Sequence, residues 1–421
     1  MKKFICIVIS GMMFLTLILQ SCSLGGKNKN EDKSSNKSLK IAIMYDEKNQ
    51  GDAYKQIAKE FEKINNIKVE ILYSFNDENM IKEAIAQKED IDIIGIKRNL
   101  VIEFAKSGQL LDITDFIDEK QLNRKLYKIC LAYGEYNDKN YGIGDMPMTF
   151  EWFYNSTMFN KYNLKEPEDL KQLIDVSNKL KAKKITPIGI GAMDGWTVAS
   201  LFGAILAQTT GTKELTSNYG SDIKSYEKIT NMKDAFGIFG KLSGSCIPKE
   251  SIDINYKKSL EEFVTGKAAI LPMGSWAIDA LEQTKPAGFT YQVFEKPVIM
   301  TQQYVTKYSA TAGQVLVIPS KGKNQEEAKK FLEFLFSEDA QKFFTDKGYI
   351  SSVKSANSSE DAIKRRILSH LDETDDNSIM ILDNMEPKIA QSTVTILQDI
   401  IEGRVQPNEA WSRALKSAFK K

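Results

Sequence analysis

Four places in the chain set charged, amide or aromatic side chains where an apolar run stops. Tyr45, Asp46 and Glu47 close the run that begins at Leu39, and Lys97, Arg98 and Asn99 follow the run from Ile91 to Ile96. Asp194 and Trp196 come after Pro187 to Gly191, and Trp276 emerges from a Met273-Gly274-Ser275 turn behind Ala268 to Pro272. Carboxylates and amides at such ends exchange hydrogen bonds with polar groups, while an indole or phenol face covers C–H surface. That is the chemistry of non-covalent capture. Each position also has an ordinary structural reading: a Trp behind an apolar strand is commonly a core anchor, and acids beside turns commonly cap helices.

Catalysis has less to use. The only histidine, His370, lies in a polar stretch with Arg365, Arg366 and Asp372 and reads as a surface residue, yet Ser-His-Asp chemistry would have to employ it. No His and Cys cluster has metal-ligand spacing, and no Gly-rich loop opens a helix in phosphate-binding fashion, so neither metal nor cofactor is expected. Carboxylates for a glycosidase exist among the 56 acids, but nothing in the sequence pairs any two of them.

The elements that would position these residues alternate. Leu39 to Tyr45, Lys68 to Tyr73 and Ile91 to Ile96 read as strands, separated by helices from Asp52 to about Ile64 and from Glu78 to Gln87. Strand, helix, strand, helix, strand predicts a parallel sheet with helices on its faces, and ligands of such sheets sit beyond the carboxyl ends of the strands. Tyr141 to Asn155 is a strand, a Gly- and Pro-containing bend and an aromatic strand, which is how a chain passes between lobes. Later strands are expected at Phe289 to Met300 and Gln314 to Pro319, and helices at 222–242, Tyr256 to Val264, Glu326 to Ser337 and Glu338 to Lys347. The tail from Ile379 to Phe419 reads as helical, broken at Pro387 and Gly403.

With 421 residues the chain exceeds what one hydrophobic core usually serves, and two lobes are expected. Lys and Arg number 57 against 56 acids, a balance that argues against nucleic acid as a partner. The N-terminus reads as a processing signal: Lys2 and Lys3 precede an apolar run from Phe4 to Leu19. Leu19-Gln20-Ser21-Cys22 then resembles the lipobox of bacterial lipoproteins. That resemblance implies removal of residues 1–21, lipidation of Cys22 and a protein held on the outer face of the cell membrane. Residues 22–38, rich in Gly, Ser, Asn and Lys, would be a flexible tether. Cleavage takes away two lysines and no acid, which moves the formal charge from +1 to −1. Cys130 and Cys246 remain, and in a chain this large they read as buried free thiols rather than a disulfide.

Four separated segments carry a wider resemblance: Phe61-Glu62-Lys63 to Val69, Tyr141-Gly142-Ile143 to Tyr154-Asn155, Gly266-Lys267-Ala268-Ala269 to Trp276, and Ala328-Lys329-Lys330-Phe331-Leu332 to Ser337-Glu338-Asp339-Ala340-Gln341. In order and spacing the chain resembles the sugar-binding extracellular solute-binding proteins of ABC importers, the group that includes maltose-binding protein. The resemblance implies an α/β, two-lobe periplasmic-binding-protein clamshell of type II, with discontinuous lobes and a hinge. The first lobe would take 39–147 and 291–347 and the second 148–290 and 348–421, with crossings near Pro147, Gln292 and Gly348. It further implies a monomeric, non-enzymatic receptor that captures a sugar, in particular an oligosaccharide, and delivers it to the membrane subunits of a permease. Carried onto matching positions, ligand contacts fall on Tyr45, Asp46, Glu47, Lys97, Arg98 and Asn99 in the first lobe, on Met148 at the crossing, and on Asp194, Trp196 and Trp276 in the second. Asp92 matches an acid of the third strand that could instead serve lobe structure. A sensing or adhesive surface lipoprotein built on the same clamshell, or a carbohydrate hydrolase, stays open as the alternative.

Overall fold

Twelve strands among the described residues fall into two large sheets and one small hairpin. They are β1 (Ser38–Ala42), β2 (Lys68–Leu72), β3 (Ile93–Ile96), β4 (Glu135–Tyr136), β5 (Lys139–Asn140), β6 (Gly142–Gly144), β7 (Met148–Asn155), β8 (Thr186–Ile188), β9 (Ala268–Gly274), β10 (Tyr291–Val293), β11 (Ala310–Thr311) and β12 (Val315–Val317). The structure is a computed structural model, and it describes residues 37–87, 90–211, 213–229 and 231–420. The leader, Cys22 and most of the tether lie outside the described residues.

The first sheet runs β2-β1-β3-β12-β6. β1 pairs in parallel with both β2 and β3, and the return strand β12 enters antiparallel between β3 and β6. The helix Gln50–Asn65 makes the first crossover because Tyr54, Ile57, Ala58 and Phe61 recur at helical spacing and are all buried. They meet Leu39, Ile41 and Ile43 of the sheet side and the helix Gln325–Leu335, whose Phe331 ring stands edge-on to Phe61 at 5.1 Å.

The second sheet runs β10-β7-β9-β8, with β11 also on β7. β7 is its organising strand: Phe150 to Tyr154 pair with β9 on one side, and β10 and β11 pair with the other. Against it lies the helix Gly195–Thr209, apolar nearly all round and buried accordingly, with Phe202 4.5 Å from Phe236 of the helix Met232–Cys246. The tail helices Pro387–Glu402 and Pro407–Ala418 complete this layer, and the Trp411 indole donates to the Tyr226 carbonyl at 3.1 Å.

The pairing shows where the chain changes sheets. It leaves the first sheet after Gly144 and enters the second at Met148. The return does not fall near Gln292, because Tyr291, Gln292 and Val293 hydrogen-bond along the edge of β7; the chain comes back between Thr311 and Val315. The last passage lies beyond Gly348 as well. Val353 still bridges to Leu126 of the first layer, whereas the helix Ala362–Asp372 packs on β7 and β10. The helix read over 222–242 is two helices, Ile223–Glu227 and Met232–Cys246, the first begun by Asp222 accepting from the Ser225 amide. Cys130 and Cys246 are buried free thiols, and burial pushes the Cys130 thiol up to about 12.

Candidate functional site

Between the ends of the two large sheets lies a cavity of about 480 Å³. Tyr45, Gln50, Gly313 and Tyr349 line it from the first layer, Ser275, Trp276, Asp279 and Glu282 from the second, and Met146, Pro147 and Met148 from the passage between them.

Each aromatic wall is set by local backbone. β1 carries the chain to Tyr45, whose hydroxyl donates to Asp145 Oδ1 at 2.8 Å and so fixes the ring. Gly313 makes room for it, since a Cβ there would stand 2.1 Å from the Tyr45 hydroxyl oxygen. Opposite, β9 ends at Gly274, and the Trp276 indole folds back over that residue so closely that a Cβ would meet the ring at 1.9 Å. The glycine of the turn is therefore what lets the indole lie along the cavity.

Trp276 continues into a row of rings. Its centroid is 6.3 Å from that of Trp196, which is 5.0 Å from Tyr256. Trp196 remains 40% exposed, and the neighbouring Met193 60%, a large apolar surface for a soluble face. Asp194 holds the row together: its Oδ2 accepts from the Tyr256 amide at 2.7 Å and so joins the loop bearing Trp196 to the helix Tyr256–Val264.

The acids behave differently from one another. Asp46 is exposed, and its Oδ1 accepts from the Lys48 amide at 2.9 Å. Glu47 is ion-paired to Lys55 at 2.6 Å in an adjoining open groove, which also holds a Lys347–Asp52 pair at 2.6 Å. Tyr349 lies in both that groove and the cavity; burial first, then the negative charges of Asp279 and Asp46, push its phenol above the ordinary value. Asp279 and Asp46 thus approach one phenol from opposite layers. Tyr349 and Asp279 were not singled out in the sequence. The signal available was Gly348, at φ 90° after the helix Glu338–Thr345, a turn that presents the residue after it.

The cavity does not include Lys97, Arg98 or Asn99. Arg98 is only 4% exposed; its Nη1 donates to the carbonyls of Ala132, Tyr133 and Glu135 at 2.8 to 2.9 Å, and its Nε to Asn384 Oδ1 at 2.6 Å. The guanidinium satisfies carbonyls left open where the helix Lys128–Ala132 stops, which is structural work. Its burial lowers its pKa to about 10. Asn99 donates to Glu78 at 3.3 Å, and Lys97 is exposed at the entry to the helix Arg98–Lys106. Asp92 also serves the lobe, accepting from the Lys40 amide at 2.9 Å and from Asn324 at 3.0 Å.

His370 is not a surface residue. It is 3% exposed, its Nδ1 lies 3.0 and 3.1 Å from the two carboxylate oxygens of Glu151, and its ring stacks on Tyr308 at 4.3 Å. The polar run that suggested exposure is one face of the helix Ala362–Asp372; Ile363, Ile367, His370 and Leu371 form the other, turned onto β7. No group of three or more His, Cys, Asp or Glu among the described residues could hold a metal ion, and none of their helices is long and apolar enough to cross a membrane.

Residues 56–368 match the family described as bacterial extracellular solute-binding protein. A multiple sugar-binding protein of Streptococcus mutans serotype c is 27% identical over 376 residues, 84% of each chain. Among solved structures, the apo form of RafE from Streptococcus pneumoniae superposes with a TM-score of 0.73 at 21% identity, covering 91% of this chain and 97% of RafE. RafE with raffinose bound gives 0.66 at 21% identity, over 90% and 98% of the two chains. The solute receptor AcbH, described as having an exclusive preference for β-D-galactopyranose, gives 0.76 at 16% identity, over 91% and 97%.

Proposed function

We propose, for a chain that belongs to the bacterial extracellular solute-binding proteins, that it is the receptor of an ABC importer and captures a carbohydrate, in particular an oligosaccharide. The observation that carries this reading is the cavity itself, with Tyr45 and Tyr349 on one side and Trp276 on the other, between the two layers of a two-lobe α/β fold. A sugar ring presents hydroxyls at its edge and C–H faces above and below. Indole and phenol faces cover the second, and exposed carboxylates such as Asp46 and Asp279 accept from the first. At about 480 Å³ the space lies within the roughly 300–1,000 Å³ of small-ligand pockets. The sugar-binding relative and the raffinose complex of RafE support carbohydrate over other solutes.

In this reading the lobes close because a sugar touches both walls only when they approach, and its preference for the closed form shifts the equilibrium. The closed form is what the permease subunits receive, and the sugar leaves unchanged. Cys22, behind its lipobox-like residues, anchors the monomer to the outer face of the membrane, with 22–38 as tether. The ligand contacts in this proposal are Tyr45, Asp46, Met148, Trp276, Asp279 and Tyr349, with Trp196 extending the aromatic row. Calorimetric titration of the protein beginning at Cys22 with galactose, raffinose, chitooligosaccharides and xylooligosaccharides tests it. Saturable binding without new products on chromatography is the expected result; no heat from any of them, or cleavage of one, contradicts it.

A further inference from the structure

Behind the cavity, at the passage between the sheets, sits a buried carboxylate that the capture of ligand does not use. Asp145 is 1% exposed and accepts four donors. Tyr45 Oη and the Gln314 amide reach its Oδ1 at 2.8 and 2.9 Å, while Tyr54 Oη and Gln314 Nε2 reach its Oδ2, the latter at 3.0 Å. A carboxylate has about four lone-pair positions, so this one is saturated.

The donors come from separate parts of the fold. Tyr45 follows β1 and lines the cavity; Tyr54 is on the helix Gln50–Asn65; Gln314 belongs to the second passage between the sheets. Backbone bonds tie the same two passages, Asp145 N to Gln314 O at 3.0 Å and Gly313 N to Asp145 O at 2.8 Å. Gln314 Oε1 in turn accepts from the Met44 amide at 2.8 Å. A Cβ on Gly313 would come within 2.9 Å of Asp145 Oδ1, so the close approach also requires that glycine. The next residue, Met146, holds φ 40°, a conformation unfavourable for a side chain of its size and kept only where its surroundings enforce it.

We infer that Asp145 is the pin of the hinge, a positioning residue that fastens the first two passages and the Tyr45 wall into one body. Lobe closure then bends the chain on the second-sheet side of that body, at Met146 to Met148 and Ala310 to Ala312, and Tyr45 rides with the first sheet without changing its orientation. The inference rests on the closing receptor proposed above but not on what the receptor binds.

Hydrogen exchange of the ligand-free protein, followed at single-residue resolution, tests it without any sugar. Asp145→Asn cannot accept all four donors, and the amides of Met44, Gly313 and Gln314 are expected to exchange ~10-fold faster, while β7 and β9 exchange as in the wild type. A rise spread evenly over both sheets would mean general destabilisation, and no rise at 313–314 would mean no pin; either overturns the inference. Should Asp145→Asn fail to fold, Tyr45→Phe removes one donor and keeps the ring. A ~3-fold rise confined to Met44, Gly313 and Gln314 supports the pin, and unchanged exchange there refutes it. In the double variant the two effects are expected to be non-additive, as for members of one network; simple addition contradicts a shared hub.

Discussion

His370 and Glu151 show how a side chain can be misread when only its neighbours in sequence are visible. Burial, the largest single influence on the imidazole, lowers its proton affinity, but the charge and hydrogen bond of Glu151 and the Glu295 carbonyl together outweigh it, and its pKa is raised above 6.5. Thr149 Oγ1 also donates to the same carboxylate. With the folded value above the unfolded one, the pair stabilises the protein fully below about pH 6.5, and that contribution is lost as pH rises through the folded value. Thermal unfolding followed from pH 5.5 to 9 should therefore show stability falling on the alkaline side. His370→Gln leaves Glu151 buried without its cation, which should cost ~3–5 kcal/mol below pH 6.5 and flatten the dependence; an unchanged pH profile in the variant would remove the pair from the account. Arg98 teaches the converse. Its type and place beyond β3 suggested a ligand contact, yet carbonyls distant in sequence surround it, and only the packed fold could reveal them.

At the scale of elements, what the sequence made legible had a period or a punctuation mark. The helix Gln50–Asn65 was readable because Tyr54, Ile57, Ala58 and Phe61 recur at helical spacing on one face, and the turn at Gly274 because a glycine separates an apolar strand from an indole. β10, β11 and β12 have three, two and three residues, too few to show alternation, and their sheet membership is decided by partners more than a hundred residues away for β10 and β11. Their pairing is therefore set by the packed fold and leaves no local mark in the sequence. The cavity walls were partly legible: Tyr45, Met148 and Trp276 stand on its lining, whereas Tyr349 comes after the return passage and Asp279, in the first turn of the helix Ile278–Thr284, has the sequence of an ordinary helix start. Gly274→Ala isolates the turn. A methyl group cannot share its space with the indole, so Trp276 must swing away, and sugar affinity should fall about as far as on removing the ring, ~1–3 kcal/mol. Wild-type affinity in a calorimetric titration would show that the indole's placement is immaterial.

For the whole molecule, the two sheets are joined by short passages and by a shared apolar cluster, with Ile94 and Val315 of one and Phe153 and Leu271 of the other, and they line a common cavity. Such an arrangement exploits ligand contacts on two walls that no single layer could offer, and it makes binding and closure one equilibrium. Capture by closure requires both walls to touch one sugar at once. Its most direct test is a calorimetric comparison of wild type, Tyr45→Ala and Trp276→Ala with the oligosaccharide that binds most tightly. Each substitution is predicted to weaken that same titration by ~1–3 kcal/mol, the scale of a lost aromatic anchor. If either variant binds the sugar as the wild type does, the ligand does not bridge the two layers and the clamshell reading of this cavity is contradicted.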